Sequence, residues 1–382
     1  MNSGLVYLDY QATTPLDPRV QKAMLPLLGD NFGNPHSINH AYGWQAADSV
    51  KVARGQVADF IGADDSEIVF TSGATESCNL AIRGVLKASG SSRRKIITVS
   101  TEHPAVYETV LDLEREGYDI TILSVQQDGL LDLEDLKREL DEHTALVSVM
   151  AANNEIGVLQ PLADISQLCH AKGAFLHTDA TQAAGRIDID VDTWGVDFLS
   201  ISAHKVYGPK GIGALFVRNG IPISPVLTGG GQEYGLRPGT VAAPLVVGIG
   251  MACEIAMENL KNDTVRMIRL TEKLWRGILN ERGDVMLFGH PTQRIPGNLN
   301  FGFPGVNADV VIDLVSDRIA ISTGSACSSG TNEPSRILIA LGIGSELAAT
   351  GLRVSLGRFT CDEEIDSAIH TFARVGAVID RE

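Results

Sequence analysis

The chain has 382 residues, 31 of them basic and 47 acidic, for a formal charge of −16. That length favours two or three domains around a sizeable core, and the charge argues against a nucleic acid or an anionic membrane as the main partner. Hydrophobic content of 44% and charged content of 20% describe an ordinary soluble protein.

In chain order, Met1-Asn2-Ser3-Gly4-Leu5 shows no basic region followed by an apolar stretch, so no secretory leader is expected. From about residue 67, apolar runs alternate with amphipathic segments. Strands are predicted at Glu67–Phe70, Lys95–Ser100, Ala145–Met150, Ala174–Thr178, Val196–Ser202 and Gly213–Val217. Helical spacing falls between them, as in Ala105–Glu116 and Leu162–Ala171, the latter followed by Gly173 at a C-cap position. This alternation predicts an α/β fold with a mostly parallel sheet covered by helices. The longest apolar segment, Val241 to Cys253, contains Pro244 and is shorter than the ~18 residues a membrane span needs. A long amphipathic pattern, Met251 to Arg282, reads as an inter-domain helix. Strand Gly297–Phe303, helix Ala308–Asp317, strand Ile319–Thr323, helix Pro334–Leu341, strand Leu352–Leu356 and helix Asp362–Ile379 follow, describing a smaller α/β domain.

Ligands of such sheets bind at the carboxyl ends of strands. Thr71, Asp179 and His204 fall at or just after those ends. Lys205 follows the apolar run Val196–Ile201. A lysine is ordinarily a solvated surface charge, but three neighbours argue for a site. Asp179 ends a strand, where a carboxylate either caps a helix or pairs with a cation such as the ring nitrogen of pyridoxal phosphate. Thr71-Ser72-Gly73-Ala74-Thr75-Glu76 opens a helix, either as a plain capping turn or as a phosphate cradle. His103 is either polar surface or an imidazole that stacks on a flat ring and relays protons.

Five cysteines are dispersed without a Cys-x-x-Cys pair, which reads as reduced thiols in a cytoplasm and as neither a disulfide framework nor a zinc site. Cys78, Cys169 and Cys253 lie in helical patterns and read as small core residues, and Cys361 opens the last helix. Cys327 is different. It sits in Thr323-Gly324-Ser325-Ala326-Cys327-Ser328-Ser329-Gly330, a small-residue loop suited to a nucleophile. His36 and His40 are four apart, but Gly33, Asn34 and Pro35 make the region a turn, and no metal site is expected.

Several of these motifs resemble those of cysteine desulfurases that feed iron–sulfur assembly and nitrogen fixation. They are Leu8-Asp9-Tyr10-Gln11-Ala12-Thr13-Thr14-Pro15, Thr71–Glu76, Asn153-Asn154-Glu155-Ile156-Gly157, His177–Gln182, Ser202–Gly211, Gly324–Gly330 and Arg353–Arg358. The likeness covers nearly the whole chain. It implies a pyridoxal-phosphate fold of type I, akin to class V aminotransferases. Residues 14–258 would form the large cofactor domain. Residues 1–13 and 259–382 would form the small domain carrying the Cys327 loop.

The resemblance also implies roles. Lys205 would be the Schiff-base lysine, Asp179 the partner of the ring nitrogen, His103 the stacking acid/base, and Gln182 the partner of the ring hydroxyl. Ala74, Thr75, Ser202 and His204 would hold the cofactor at its phosphate end, joined by Thr240 from a neighbouring subunit of a homodimer. Asn154 and Arg353 would fix the substrate carboxylate, for which a planar guanidinium is suited. Lys205 would remove the α-proton of L-cysteine. Cys327 would take its sulfur as a persulfide, release alanine and pass the sulfur to an acceptor protein. A selenocysteine lyase or another lyase or aminotransferase of the same fold is the alternative. The sequence departs from the family at Pro238, where serine or alanine is common, and at Gly330–Pro334. No longer tail of the kind some members use to dock an iron–sulfur scaffold is expected after Glu382.

Overall fold

The computed structural model describes residues 4–90, 93–323 and 334–379. The first half builds one sheet and its helices. After β1 (Val6–Tyr7) come α1 (Pro18–Leu28) and α2 (Ala41–Ile61). Then β2 (Ile68–Thr71), α3 (Ala74–Ser89), β3 (Lys95–Val99), α4 (Pro104–Arg115), β4 (Asp119–Leu123), α5 (Leu133–Glu139) and β5 (Thr144–Ser148) alternate. The pattern continues through α6 (Leu162–Ala171), β6 (Phe175–Asp179), α7 (Val191–Trp194), β7 (Phe198–Ser202) and β8 (Gly213–Val217).

These strands form a seven-stranded sheet in the order β2-β8-β7-β6-β5-β3-β4. Pairs from β7 to β4 are parallel, and β8 runs antiparallel to both neighbours. Two antiparallel steps restore direction, so β2 points the same way as β7. The carboxyl ends of β2, β3, β5, β6 and β7 therefore share one edge. The central strands are apolar runs buried on both faces, as helix-covered parallel sheets require. At the rim, β4 is only partly buried and begins at exposed Asp119.

Helix α8 (Ala243–Glu281) starts earlier than the sequence predicts. Pro244 lies in its first turn, where a missing N–H costs nothing. The helix is long and apolar enough to span a membrane by composition alone, yet half of that apolar stretch is buried within the protein. Its first half joins the large core through Val246, Ile249 and Cys253, and its second half supplies Leu270, Leu274 and Ile278 to a second core.

Around that second core lie β9 (Met286–Leu287), β10 (Asn298–Gly302), α9 (Ala308–Val315), β11 (Ile319–Ala320), β12 (Ser322–Thr323), α10 (Arg336–Ala340), α11 (Ser345–Ala348), β13 (Gly351–Ser355) and α12 (Asp362–Ile379). An antiparallel sheet runs β12-β13-β10-β9, while β11 pairs in parallel with β1. The single strand expected at Ile319–Thr323 is thus two, because Ile319 and Ala320 pair with the N-terminal strand and Ser322 and Thr323 pair with β13. Cys78, Cys169 and Cys253 are buried in helices as expected. Cys361 is exposed just before α12 and donates its N–H to Glu364 Oε2 at 3.0 Å.

Candidate active site

The shared strand edge opens onto a cleft of about 530 Å³. Ala74, Thr75, His103, Asn154, Asp179, Gln182, Ser202, His204 and Lys205 all line it, although they come from distant stretches of sequence. Thr240 is exposed and lies outside the cleft of its own chain. Arg353 is buried on β13, behind the cleft wall. Cys327 lies outside the described residues.

One end of the cleft is the turn from β2 into α3. Gly73, at φ 152°, occupies the N-cap, and no side chain caps the helix. A side chain at this residue would be strained, because L residues rarely adopt this φ. Thr71 Oγ1 bonds Ser77 Oγ at 2.7 Å, and Ser72 N–H donates to Glu76 Oε2 at 2.6 Å. These bonds fix the turn without filling the helix end. An uncapped first turn presents N–H dipoles that suit an anion. Ser202 ends β7 close to Gly73. His204 lies next to it, with Nδ1 3.1 Å from Thr13 Oγ1. Burial, then the charges of Lys205 and Lys210, push His204 down to about 4, so it is neutral near pH 7.

Lys205 ends a single tight turn, Ala203–Lys205, that follows β7. Its Nζ donates to Ala12 O at 2.9 Å and to Gln11 O. The N-terminal segment also grips the turn itself. Thr14 N–H and Oγ1–H both donate to His204 O at 3.0 Å, and Tyr207 N–H donates to Thr14 Oγ1 at 2.8 Å. Residues 11–14 thus form a wall of the site. The motif match at Leu8–Pro15 marked this segment, but nothing in the sequence said that its carbonyls would hold the lysine.

Asp179 ends β6 and is buried. Its Oδ1 accepts Thr181 N–H at 2.9 Å. That bond caps a turn; no helix begins there, which removes the helix-cap alternative. Beneath it, His177 lies fully buried between Ser148 Oγ (2.8 Å) and Ser200 Oγ (3.0 Å), and burial pushes it down to about 4.

His103 caps α4. Its Nδ1 accepts Ala105 N–H at 3.1 Å, so the neutral ring carries its proton on Nε2. Burial lowers its pKa most, Asp179 opposes that, and the charges of Lys205 and Arg336 lower it further. The neighbouring Glu102 carried no signal in the sequence. It is completely buried, with Oε1 accepting Met150 N–H at 2.6 Å and Oε2 without a partner among the described residues. Burial, then the charge of Asp179, raises its pKa well above the usual carboxylate range.

Arg353 Nη1 donates to Asn154 O at 2.9 Å, while Nη2 donates to Asp9 Oδ1 at 2.9 Å and Ser322 Oγ at 2.7 Å. Its Nε is buried without a partner among the described residues.

Pyridoxal phosphate needs an amine, a carboxylate for its ring nitrogen, an anion-binding helix end and donors for its ring hydroxyl. The cleft holds Lys205, Asp179, the uncapped start of α3 and Gln182. Asn154 and Thr181 line the same cleft, and Asn154 Oδ1 and Thr181 Oγ1 have no hydrogen-bond partner among the described residues. A polar ligand would satisfy such groups. The residues present fit the cofactor.

A family model described as aminotransferase class-V matches residues 6–367. The chain is 50% identical over 366 residues to the cysteine desulfurase IscS of Rickettsia felis, covering 95% of this chain and 89% of that protein. Among solved structures, a NifS-like protein superposes with a TM-score of 0.92 at 36% identity, covering 98% of this chain and 100% of the other. The structure titled SspA in complex with cysteine gives a TM-score of 0.81 at 37% identity, covering 93% and 99% of the two chains. Matched over nearly its whole length in sequence and in fold, the chain belongs to the class-V aminotransferase family.

Proposed function

We propose that this chain is a pyridoxal-phosphate-dependent cysteine desulfurase that converts L-cysteine to L-alanine and leaves the sulfur as a persulfide on Cys327. The carrying observation is one cleft that unites Lys205, Asp179, His103 and the uncapped end of α3. Close likeness to proteins named cysteine desulfurase supports the same reading. When bound, pyridoxal phosphate supplies an aldehyde for the substrate amine and a cationic ring that takes up the electrons freed at the α-carbon.

The protein's own groups do the rest. Ala74 and Thr75 N–H groups, with Ser202 and His204, would hold the cofactor's phosphate. Asp179 would pair with its ring nitrogen, and Gln182 and Asn154 would serve its ring hydroxyl and edge. Asn154 would receive the substrate carboxylate, with the Arg353 guanidinium directly behind it, 2.9 Å from Asn154 O, adding its positive charge. Lys205 takes the α-proton of the substrate, and His103 moves protons at its Nε2. Cys327 thiolate then attacks the substrate sulfur, the carbon–sulfur bond breaks, and the carbon is protonated as alanine leaves. Atoms balance: cysteine and a thiol give alanine and a persulfide. The persulfide then serves a sulfur-acceptor protein.

Thr240 completes the phosphate site of a neighbouring subunit in this reading. Its exposure supports that, as do Leu25, Leu28, Phe32 and Trp44, each more than half exposed. Two variants test the proposal. Lys205→Ala abolishes the visible cofactor band. Cys327→Ser keeps the band and releases no sulfide. Parental desulfuration by Cys327→Ser overturns the mechanism.

A further inference from the structure

The β3–α4 turn that carries His103 lies between sheet and helix, so its carbonyls need donors from elsewhere. His103 O is taken up by α4, and the carbonyls of Ser100, Thr101 and Glu102 each find one. Asn153 Nδ2 donates to Thr101 O at 2.9 Å. The carbonyls on either side, Ser100 O and Glu102 O, accept from the two terminal nitrogens of Arg336, at the first position of α10. The same guanidinium lies over the ring of Tyr107, 4.0 Å from its centroid, on the first turns of α4. Ser335, next in the chain, caps α10 through Leu338 N–H at 3.2 Å and donates to Glu155 Oε2, beside Asn154. Two adjacent residues more than 230 positions downstream of the turn thus bind the loops that present His103 and Asn154.

We propose that Arg336 is a positioning residue for His103, its planar fork bridging the two outer carbonyls of the turn and its face seated on Tyr107. A guanidinium offers two donors at fixed separation and a flat face, whereas an ammonium on a flexible stem offers neither. Arg336 touches neither cleft nor reacting atoms and acts through the turn. Its charge has a second effect. His103 is faced by Asp179 from the end of β6, Lys205 from the turn after β7 and Arg336 from α10, with Glu102 next to it in the turn. Of these, Asp179 favours the imidazolium, while Lys205 and Arg336 favour the neutral ring. The proposal rests on the reading of His103 as the acid/base group.

The test uses the full chain with Arg336→Met, Arg336→Lys and His103→Gln. In Arg336→Met, kcat falls on the order of tenfold, the size expected when a catalytic group is slightly misplaced. The acid limb of its pH profile moves to higher pH, and the His103 ring signal in cofactor-free protein titrates at higher pH by NMR. Arg336→Lys restores the titration and leaves kcat low. If Arg336→Met leaves both kcat and the His103 titration unchanged, or Arg336→Lys recovers full kcat, the positioning role is overturned while the His103 reading stands. If His103→Gln itself retains parental kcat, the His103 reading fails and the proposal goes with it.

Discussion

Helices α3 and α4 both begin at the carboxyl edge of the large sheet, and their first turns are completed in opposite ways. α3 starts at Gly73 with no side chain on its free N–H groups. α4 starts at His103, whose Nδ1 accepts Ala105 N–H, with Pro104 following in the first turn. An unfinished helix end is a standing invitation to an anion, and its cost is met only when one arrives. A finished end can instead be used to fix a side chain, since the cap bond sets which imidazole nitrogen holds the proton. The two helix starts therefore divide the work: one binds and the other orients.

Substitution at the capped end has the largest expected effect. His103→Ala should lower kcat by about 10²–10⁴-fold by removing the acid/base group, and stability by about 1 kcal/mol by removing the cap. His103→Asn separates the two, because asparagine caps well and does not titrate. Steady-state rates should stay low in both variants while thermal unfolding recovers in the second. Full activity in His103→Asn would leave His103 with capping alone.

His177 sharpens the contrast, as a histidine that neither caps nor lines the cleft. Its folded value of about 4 lies below its ordinary value of 6.5. The sign follows: the unfolded chain binds the proton first as pH falls, so stability is full above pH 6.5 and is lost toward pH 4. The loss from this group is on the order of 3 kcal/mol. His177→Gln should flatten the fall in unfolding temperature between pH 7 and 5 relative to the parent. Glu102 acts oppositely, its raised carboxyl favouring the folded state at low pH, and it is present in both chains, so the difference isolates His177.

Gly73→Ala tests the open end. The φ of 152° disfavours any Cβ, so the turn should shift and cofactor affinity fall by about tenfold, roughly 1.4 kcal/mol. A cofactor titration followed by protein fluorescence measures this, and an unchanged affinity would remove the α3 turn from the phosphate site. The smallest effect belongs to His40, which also caps a helix, its Nδ1 accepting Gly43 N–H at 3.2 Å. His40→Ala should cost about 1 kcal/mol in thermal unfolding, without moving the acid limb of the rate profile.

Legibility in the sequence followed burial. The strands Gly213–Val217 and Phe198–Ser202 and the helices Leu162–Ala171 and Asp362–Ile379 were readable to within two residues, because apolar runs or a single apolar face mark them plainly. β4 and α5 escaped. β4 sits at the sheet rim, partly exposed, and α5 buries only Leu136, so neither has a strong pattern. α2 was hidden by Gly43 and Gly55 in its span. Within the site, Lys205 and Asp179 announced themselves by their places at strand ends. The roles of Glu102, the Gln11 carbonyl and Arg336 did not, since a buried acid, a backbone carbonyl and a distant arginine leave no local trace of what they hold.

Composition, periodicity and local motifs determined the α/β class, the strand ends where chemistry would gather and the residue types needed there. These are properties of short windows, governed by which side chains leave water together. Tertiary structure alone decided that β2 runs with β7 through an antiparallel β8, that residues 11–14 close over Lys205, and that Arg336 reaches the turn of His103. Each depends on contacts between segments far apart in the chain, which form only when packing brings them within hydrogen-bond range.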